Sequence, residues 1–500
     1  MANKSIIIIG AGISGLAAGC YGRMNGYQTD LFEMHSLPGG VCTSWKRKGY
    51  TFDGGIHWVG GTEPRSAFYK IWSELGAVQN RRIIYYEDLG SYEIGNGKKF
   101  VLYTDTAKLE SHMKEIAPED KELIEDFIQG INEVSLFEIP TDKAPELFTP
   151  RENMEFIFKM MPVFKSLMKW GKLTVKDFAG QFKNPVLREA FTEFWVPDLC
   201  MISLLLLLGW ANQKISGHPE GGSLSFAQSI EKRYLELGGK IHYKSKVNKV
   251  LVKNNQAIGI KLEDGTEYYA DYVISAADGY STIINMLDGK YLNGKIKNNY
   301  KNLALFDPLI HVSIGVNRTF NDLSASVLGL NFPLEQSVII ADREYRRLGV
   351  HVYNFDPTLA PAGETVMKVV LLSNYEFWES LYKDEALYKA QKEEIAATII
   401  ALLSKRFPGL EQQVEVYDVA TPITCYRYTA NRKGSYEGWL MTPKSFSMKM
   451  KKTLPGLRNF YMIGQWVEPG GGVPTVALSG RNIIQVICKN DHKVFMTTVS

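Results

Sequence analysis

The residues of this chain best placed to do chemistry are glycines near its start. Gly10, Gly12 and Gly15 follow the run Ile6-Ile7-Ile8-Ile9, and Glu33 closes the next strand-like stretch, "YQTDLFE". A pyrophosphate is held by backbone N–H groups with no side chain in the way, and a ribose diol by a carboxylate. Gly10 permits a tight turn, Gly12 lets the backbone come close to the phosphates, and Gly15 lets the next helix lie against its sheet. A helix starting near Ser14 turns its free N–H groups toward the same anion. The pattern is that of a dinucleotide site, and by itself it does not choose between FAD and NAD.

These residues need a strand, a helix and a second strand to position them. The β-branched isoleucines read as a buried parallel strand. Lys4 and the apolar stretch after it superficially copy a secretion signal, but Gly10, Gly12, Gly15 and Gly19 interrupt the run. The chain then continues into a second strand that a removable leader would not need.

Five hundred residues exceed one ordinary core, so two or more domains are expected. Hydrophobic residues make up 45% and charged residues 22%, which excludes general disorder. The 57 basic and 54 acidic residues nearly cancel, so nucleic acid is not an expected partner. Cys20, Cys42, Cys200, Cys425 and Cys488 are scattered, with no C-x-x-C pair and no histidine at ligand spacing. This implies a reducing, cytoplasmic setting and no bound metal. The longest apolar run, "LCMISLLLLLGW" at 199–210, is too short to span a bilayer and reads as a buried helix or tunnel wall.

Three stretches have α/β dinucleotide-fold character. After the opening unit comes "LPGGVCTSWKRKGYTFDGGIHWVGG", whose Gly39, Gly40, Gly54 and Gly55 mark loops that approach something bulky. Residues 221–281 read as helix, strand and a hairpin region with turns at Asn254-Asn255 and Asp264-Gly265, closed by the strand "YVISAAD". Residues 459–487 read as a strand, a glycine loop and an amphipathic helix opened by Pro474 and Thr475.

The opening unit, "PEGGSLSFAQSI", "ADYVISAAD" and above all "NFYMIGQWVEPGGGVP" resemble the phytoene desaturase, carotenoid isomerase and retinol saturase family of FAD-dependent oxidoreductases. The resemblance covers most of the chain, strongly in these segments and weakly between them. It implies an α/β, Rossmann-like FAD-binding domain of glutathione-reductase type, formed by 1–75, 218–290 and 450–500. A discontinuous α+β substrate domain would come from 76–217 and 291–449. It further implies that Gly10, Gly12, Ser14, Gly15 and Glu33 hold the ADP half, with Gly39 and Gly40 also at the cofactor and Val247 meeting the adenine through its backbone. Gly464 and Gln465 would follow the pyrophosphate and ribityl chain, and Gly472 and Val473 the pyrimidine edge of the flavin. Val41 stands where many relatives carry Arg, and Gln465 where a carboxylate is common.

A flavin carries the hydride itself, so few catalytic side chains are required. His57, in the glycine loop that the resemblance puts near the ring, is the candidate proton donor or shuttle, with a structural histidine as the alternative. Arg427 and Tyr436 precede the third cofactor segment and are candidates for the substrate side. The expected activity is on carbon–carbon bonds of a hydrophobic polyene or isoprenoid, by desaturation, saturation or isomerisation. A flavin amine oxidase is the alternative, with Tyr426, Tyr428 and Trp439 as aromatics for a cage. A non-catalytic prenyl-lipid carrier of the same fold is the third reading.

Residues 154–173, "MEFIFKMMPVFKSLMKWGKL", place Phe156, Ile157, Met160, Met161, Phe164, Leu167, Met168 and Leu173 at helical spacing among lysines. This predicts a peripheral membrane contact, with Trp170 at the interface and Pro162 kinking or dividing the helix.

Overall fold

The computed structural model describes residues 4–137, 140–446, 448 and 450–498. Its centre is a parallel sheet of five strands in the order Lys240–His242, Gln28–Phe32, Ser5–Ile9, Tyr272–Ser275, Phe460–Met462. Ile6 to Ile9 are all buried, as a strand covered on both faces requires. They pair with Thr29 to Phe32 on one side and Tyr272 to Ser275 on the other.

On one face lie the opening helix Ile13–Met24 and the closing helix Val473–Asn490. They cross where a β-carbon on Gly480 would come within 2.4 Å of the Ser14 carbonyl oxygen, so only glycine permits the contact. The helix Gly222–Glu236 packs beside them, with Tyr234 against Gly19. The other face is covered by the antiparallel strands Val247–Lys253, Gln256–Leu262 and Glu267–Tyr269. Asn254 and Asn255 both have positive φ, 52° and 56°, in the turn read from sequence.

A mixed seven-stranded sheet joins the two long intervening stretches. Its order is Val414–Ala420, Leu309–Val316, Thr365–Leu372, Arg343–Val352, Leu330–Ile340, Asp88–Gly95, Lys98–Tyr103. The helix Glu385–Arg406 packs on it through Ile395, Ala396, Ile399 and Leu403. A separate helical cluster runs from Thr106 to Asn212. Among the described residues no helix is long and apolar enough to cross a membrane.

The helix Pro150–Trp170 corrects two expectations. It runs unbroken through Pro162, started by a capping box between Thr149 and Glu152. Trp170 is 2% exposed, buried beside Gly130, and does not face outward. Its uncovered large apolar residues are Met154, Ile157, Phe158, Met161, Phe164 and Met168, each 47–67% exposed. At helical spacing they form one arc, opposite the buried Val163, Ser166 and Trp170.

Candidate functional site

The opening glycines form a cradle. Gly10 has φ 97°, and a β-carbon on Gly15 would sit 2.0 Å from the Gly10 carbonyl oxygen, which is the close helix packing expected of that position. A β-carbon on Gly12 would meet nothing nearer than the Gly39 carbonyl oxygen at 3.8 Å. Gly12 caps the opening helix without a side-chain hydrogen bond, so the first N–H groups, Ser14 included, keep their donors free. Gly39, at φ 105°, donates its N–H to the Ala11 carbonyl (2.8 Å), bringing the second glycine loop alongside the first. Gly40 comes to rest against Gly12.

Gly472 caps the closing helix, also without a side-chain partner. Residues 472–476 are only half-covered, whereas Ala477 onward is core. Gly464, at φ 88°, abuts Ser14, and its N–H reaches Ser479 Oγ at 3.3 Å. Ser479 in turn donates to Glu468 Oε1 (3.0 Å), which pairs with Lys452 at 2.8 Å. Gly10, Gly12, Gly40, Val41, Gly54, Gln465, Gly472 and Val473 are all half-covered although they lie among core elements. Two uncapped helix N-termini facing such a strip suit a long ligand with an anionic middle.

Glu33 is buried, and both its oxygens are already in use. Oε2 accepts from the Ala11 N–H and Oε1 from the His35 N–H, each at 2.8 Å. Burial pushes its carboxyl above the ordinary carboxylate range, and these N–H groups oppose that. A carboxylate has about four lone-pair positions, so room remains for a diol. Glu33 therefore also fixes the loop it was expected only to serve. Ser245 donates its N–H to the Glu33 carbonyl (2.8 Å), leading the chain to buried Val247 at the same corner.

The loop after the strand Tyr50–Asp53 joins the cradle to a polar chamber. Ser223, in the "PEGGSL" segment, donates its N–H to Asp53 Oδ1 (3.0 Å) and accepts the Ile56 N–H at 2.6 Å. His57 follows. Its ring stacks on His351 with centroids 5.3 Å apart, and its Nε2 has no hydrogen-bond partner. Burial, with Lys368 next in effect, holds its imidazole well below the usual histidine range, so it is neutral at pH 7 and is not a standing imidazolium acid.

Residues that motif reading passed over complete the chamber. Ser313, Lys368 and His351 are register partners on three adjacent strands, which puts them on one face of the seven-stranded sheet. His311 lies two residues before Ser313, on that same face. Lys368 is buried and donates to the Asp53 carbonyl oxygen at 3.0 Å, and it forms no ion pair among the described residues. Burial lowers it to about 8, and His311 and His351 are lowered to about 3 by burial and by Lys368. His351 Nδ1 donates to the Val327 carbonyl (2.6 Å), leaving Nε2 as an acceptor. Among the described residues Asp53 Oδ2, His218 Nδ1, His311 Nδ1, Ser313 Oγ and the Tyr353 hydroxyl, like His57 Nε2, lack hydrogen-bond partners. So much unanswered capacity marks a place that receives a polar group. A signal did exist in the sequence: Lys368 and His311 are each the only titratable residue in an apolar strand, "TVMKVVLL" and "LIHVSIGV".

The adjoining wall is apolar. The helix Met201–Asn212 is buried except for Ser203, Leu206, Leu207, Trp210 and its last residue, Asn212. The first four recur at helical spacing and form a half-covered stripe. Ser203 contacts Met441, and Trp210 lies against Gly60, which also abuts Pro474 of the closing helix.

Arg427 is not part of this site. It is exposed on the helix Pro422–Thr429, its guanidinium near the Tyr382 and Tyr428 rings, because that helix buries Pro422 and Ile423 instead. Tyr426 and Tyr428 are 45% exposed on the same helix, while Trp439 is core against Tyr300 and Trp466. These three aromatics therefore do not form a cage.

Residues 13–487 match the family model described as flavin containing amine oxidoreductase, and the chain belongs to that family. It is 26% identical to a chloroplastic prolycopene isomerase of Arabidopsis thaliana, over 95% of this chain and 81% of the relative. It is 23% identical to the neurosporene-forming phytoene desaturase of Rhodobacter capsulatus, over 96% and 93%. Wild-type putrescine oxidase bound to putrescine superposes with a TM-score of 0.61 at 15% identity, covering 98% of this chain and 99% of that one, a likeness of fold. The family resemblance and the α/β FAD-domain architecture read from sequence are borne out, and the chain is an FAD-dependent oxidoreductase.

Proposed function

We propose that this enzyme acts on carbon–carbon bonds of a conjugated polyene, with desaturation, saturation or isomerisation as the outcome. The observation that carries the reading is the half-covered apolar stripe Ser203, Leu206, Leu207 and Trp210 beside the His57 chamber. An elongated hydrocarbon fits such a wall, and neither the stripe nor Met441 offers a charge to hold an ammonium or a carboxylate. The named activities of the isomerase and desaturase relatives agree with it.

In this reading residues 1–75, 218–290 and 450–500 bind the cofactor, and 76–217 with 291–449 receive the substrate. Gly10, Gly12, Ser14 and Gly15 hold the pyrophosphate, Glu33 the ribose, and Val247 the adenine edge. Gly39, Gly40, Gly464, Gln465, Gly472 and Val473 line the remaining length. FAD, when bound, supplies the hydride acceptor or donor. His57 offers a neutral ring nitrogen to the reacting region. Lys368, lowered to about 8, holds a proton it can release near neutral pH and keeps the three facing imidazoles uncharged. The stripe excludes water from the hydrocarbon.

A polyene dissolves in lipid, so the enzyme gains by docking there. The arc Met154, Ile157, Phe158, Met161, Phe164 and Met168, with Lys165 and Lys169 beside it, is the surface that enters the headgroup layer. The activity test is incubation of holoprotein with a cis-polyene in vesicles, followed by chromatography of the extracted lipid. New geometric isomers, longer chromophores or shorter ones are expected. Unchanged polyene in both flavin redox states contradicts the proposal.

A further inference from the structure

Glu437 lies in the segment that leads into the last cofactor stretch. A β-carbon on Gly471 would lie 2.3 Å from its carbonyl oxygen, and one on Gly472 would lie 3.7 Å from its Oε1. Its carboxyl group therefore stands beside the uncapped N-terminus of the closing helix. It is deep in the molecule yet half-covered, so it faces the strip formed by Gln465, Gly472 and Val473. Burial pushes it up to about 7, and among the described residues its carboxyl has no ion pair or hydrogen bond.

The charged and titratable groups around it are otherwise engaged. Tyr436, its neighbour, is pushed well above the tyrosine range by burial, then by Glu437 and Asp307, and so stays a neutral phenol. Asp307 faces Arg343 at 3.2 Å. In the loop before the helix, Glu468 pairs with Lys452, which also holds Glu146 at 2.6 Å. Among the described residues no cation pairs with Glu437. Gln465, close against Gly438 and Gly471, is the other polar side chain here.

We propose that Glu437 is a positioning residue of the cofactor site, presenting a carboxylic acid as a hydrogen-bond donor to the polar ring edge seated at the N-terminus of the closing helix. The inference rests on the cofactor placement proposed above. A buried carboxyl without a counter-charge keeps its proton and becomes a donor. A donor at that edge favours the form of the ring that carries more negative charge, so the protonated residue raises the reduction potential. The effect fades as Glu437 ionises.

The test is an anaerobic spectroelectrochemical titration of holoprotein through pH 7. Reduction of a flavin takes up protons and the reduced ring itself titrates near neutrality, so Glu437 is read as a difference between proteins that share that background. Wild type and Glu437→Gln are expected to agree at low pH and to separate within about one unit of pH 7, wild type falling lower as Glu437 ionises. Glu437→Ala lies below Glu437→Gln throughout. Wild-type and Glu437→Gln potentials that stay parallel through pH 7 overturn the proposal. Wild type supplies a test that needs no variant: its reduced-minus-oxidised infrared difference spectrum should contain a carboxylic-acid carbonyl band at pH 6. Absence of that band overturns the proposal too. Failure of wild type to retain FAD overturns the cofactor placement itself, which separates the two failures.

Discussion

The glycine cradle and the histidine chamber adjoin, but they are built differently. The cradle is backbone: consecutive glycines, two uncapped helix ends and Glu33 tied to the Ala11 and His35 N–H groups. The chamber is side chain: single residues from separate strands and loops, brought together by register, with bonding capacity left unanswered. The first is rigid where a β-carbon on Gly15 or Gly39 would lie 2.0 or 2.2 Å from a backbone carbonyl oxygen, and the second is adjustable because its groups titrate. Damage to the cradle should therefore appear as lost folding and binding. Damage to the chamber should appear as altered protonation and turnover in a protein that still folds.

The largest effect tests the rigid side. Gly15→Val must displace the Gly10 carbonyl, 2.0 Å from the new β-carbon. Overpacking of this kind usually costs about 1–3 kcal/mol, and more where backbone must move. The expected result is loss of flavin from purified protein and a lower melting temperature; a yellow, stable variant breaks the comparison.

Lys368→Met probes the other side. Turnover should fall about 100-fold or more if the lysine manages a proton, while flavin content stays unchanged. Stability should move the opposite way. The folded-state value near 8 lies below the ordinary 10.5, so the unfolded chain binds more protons between them and stability rises with pH through that window. Below pH 8 the buried cation destabilises by about 3 kcal/mol, so the methionine variant should unfold at higher denaturant at pH 7. It should also lose the rise between 8 and 10.5. A variant destabilised at pH 7 contradicts the assignment of an unpaired cation.

Glu33→Ala separates the two jobs of that residue. The buried Ala11 N–H and the partly buried His35 N–H lose their acceptor, the former at about 1–3 kcal/mol when left bare. Denaturation of the flavin-free variant should show the loss even without ligand. If only flavin affinity changes, Glu33 serves the ribose alone.

The smallest effect on stability is expected at the surface. Ile157, Phe158 and Phe164 changed together to Ser should alter stability by less than about 0.5 kcal/mol per site, with flavin retained. Co-sedimentation with anionic vesicles at low salt should nonetheless be lost. Equal pelleting of variant and wild type removes the membrane role.

The same contrast explains what could be read in advance. Gly10, Gly12, Gly15 and Glu33 announce themselves because a backbone site needs specific residues at fixed local spacing. Lys368, His311 and His351 do not, since only strand register joins residues from 311 to 368. Arg427 misled because a helix face cannot be chosen from sequence proximity to a motif. Pro162 misled because the helix, well capped at Thr149 and packed through Val163 and Trp170, tolerates it.

That cradle and chamber together make a polyene-handling flavoenzyme is tested most directly by anaerobic rapid mixing of holoprotein, oxidised or reduced, with polyene-loaded vesicles while flavin and polyene absorbance are followed together. The polyene spectrum is expected to change in at least one redox state, at a rate reduced about 100-fold in Lys368→Met. A polyene spectrum that never changes, with flavin reduced instead by putrescine or another amine, would contradict it.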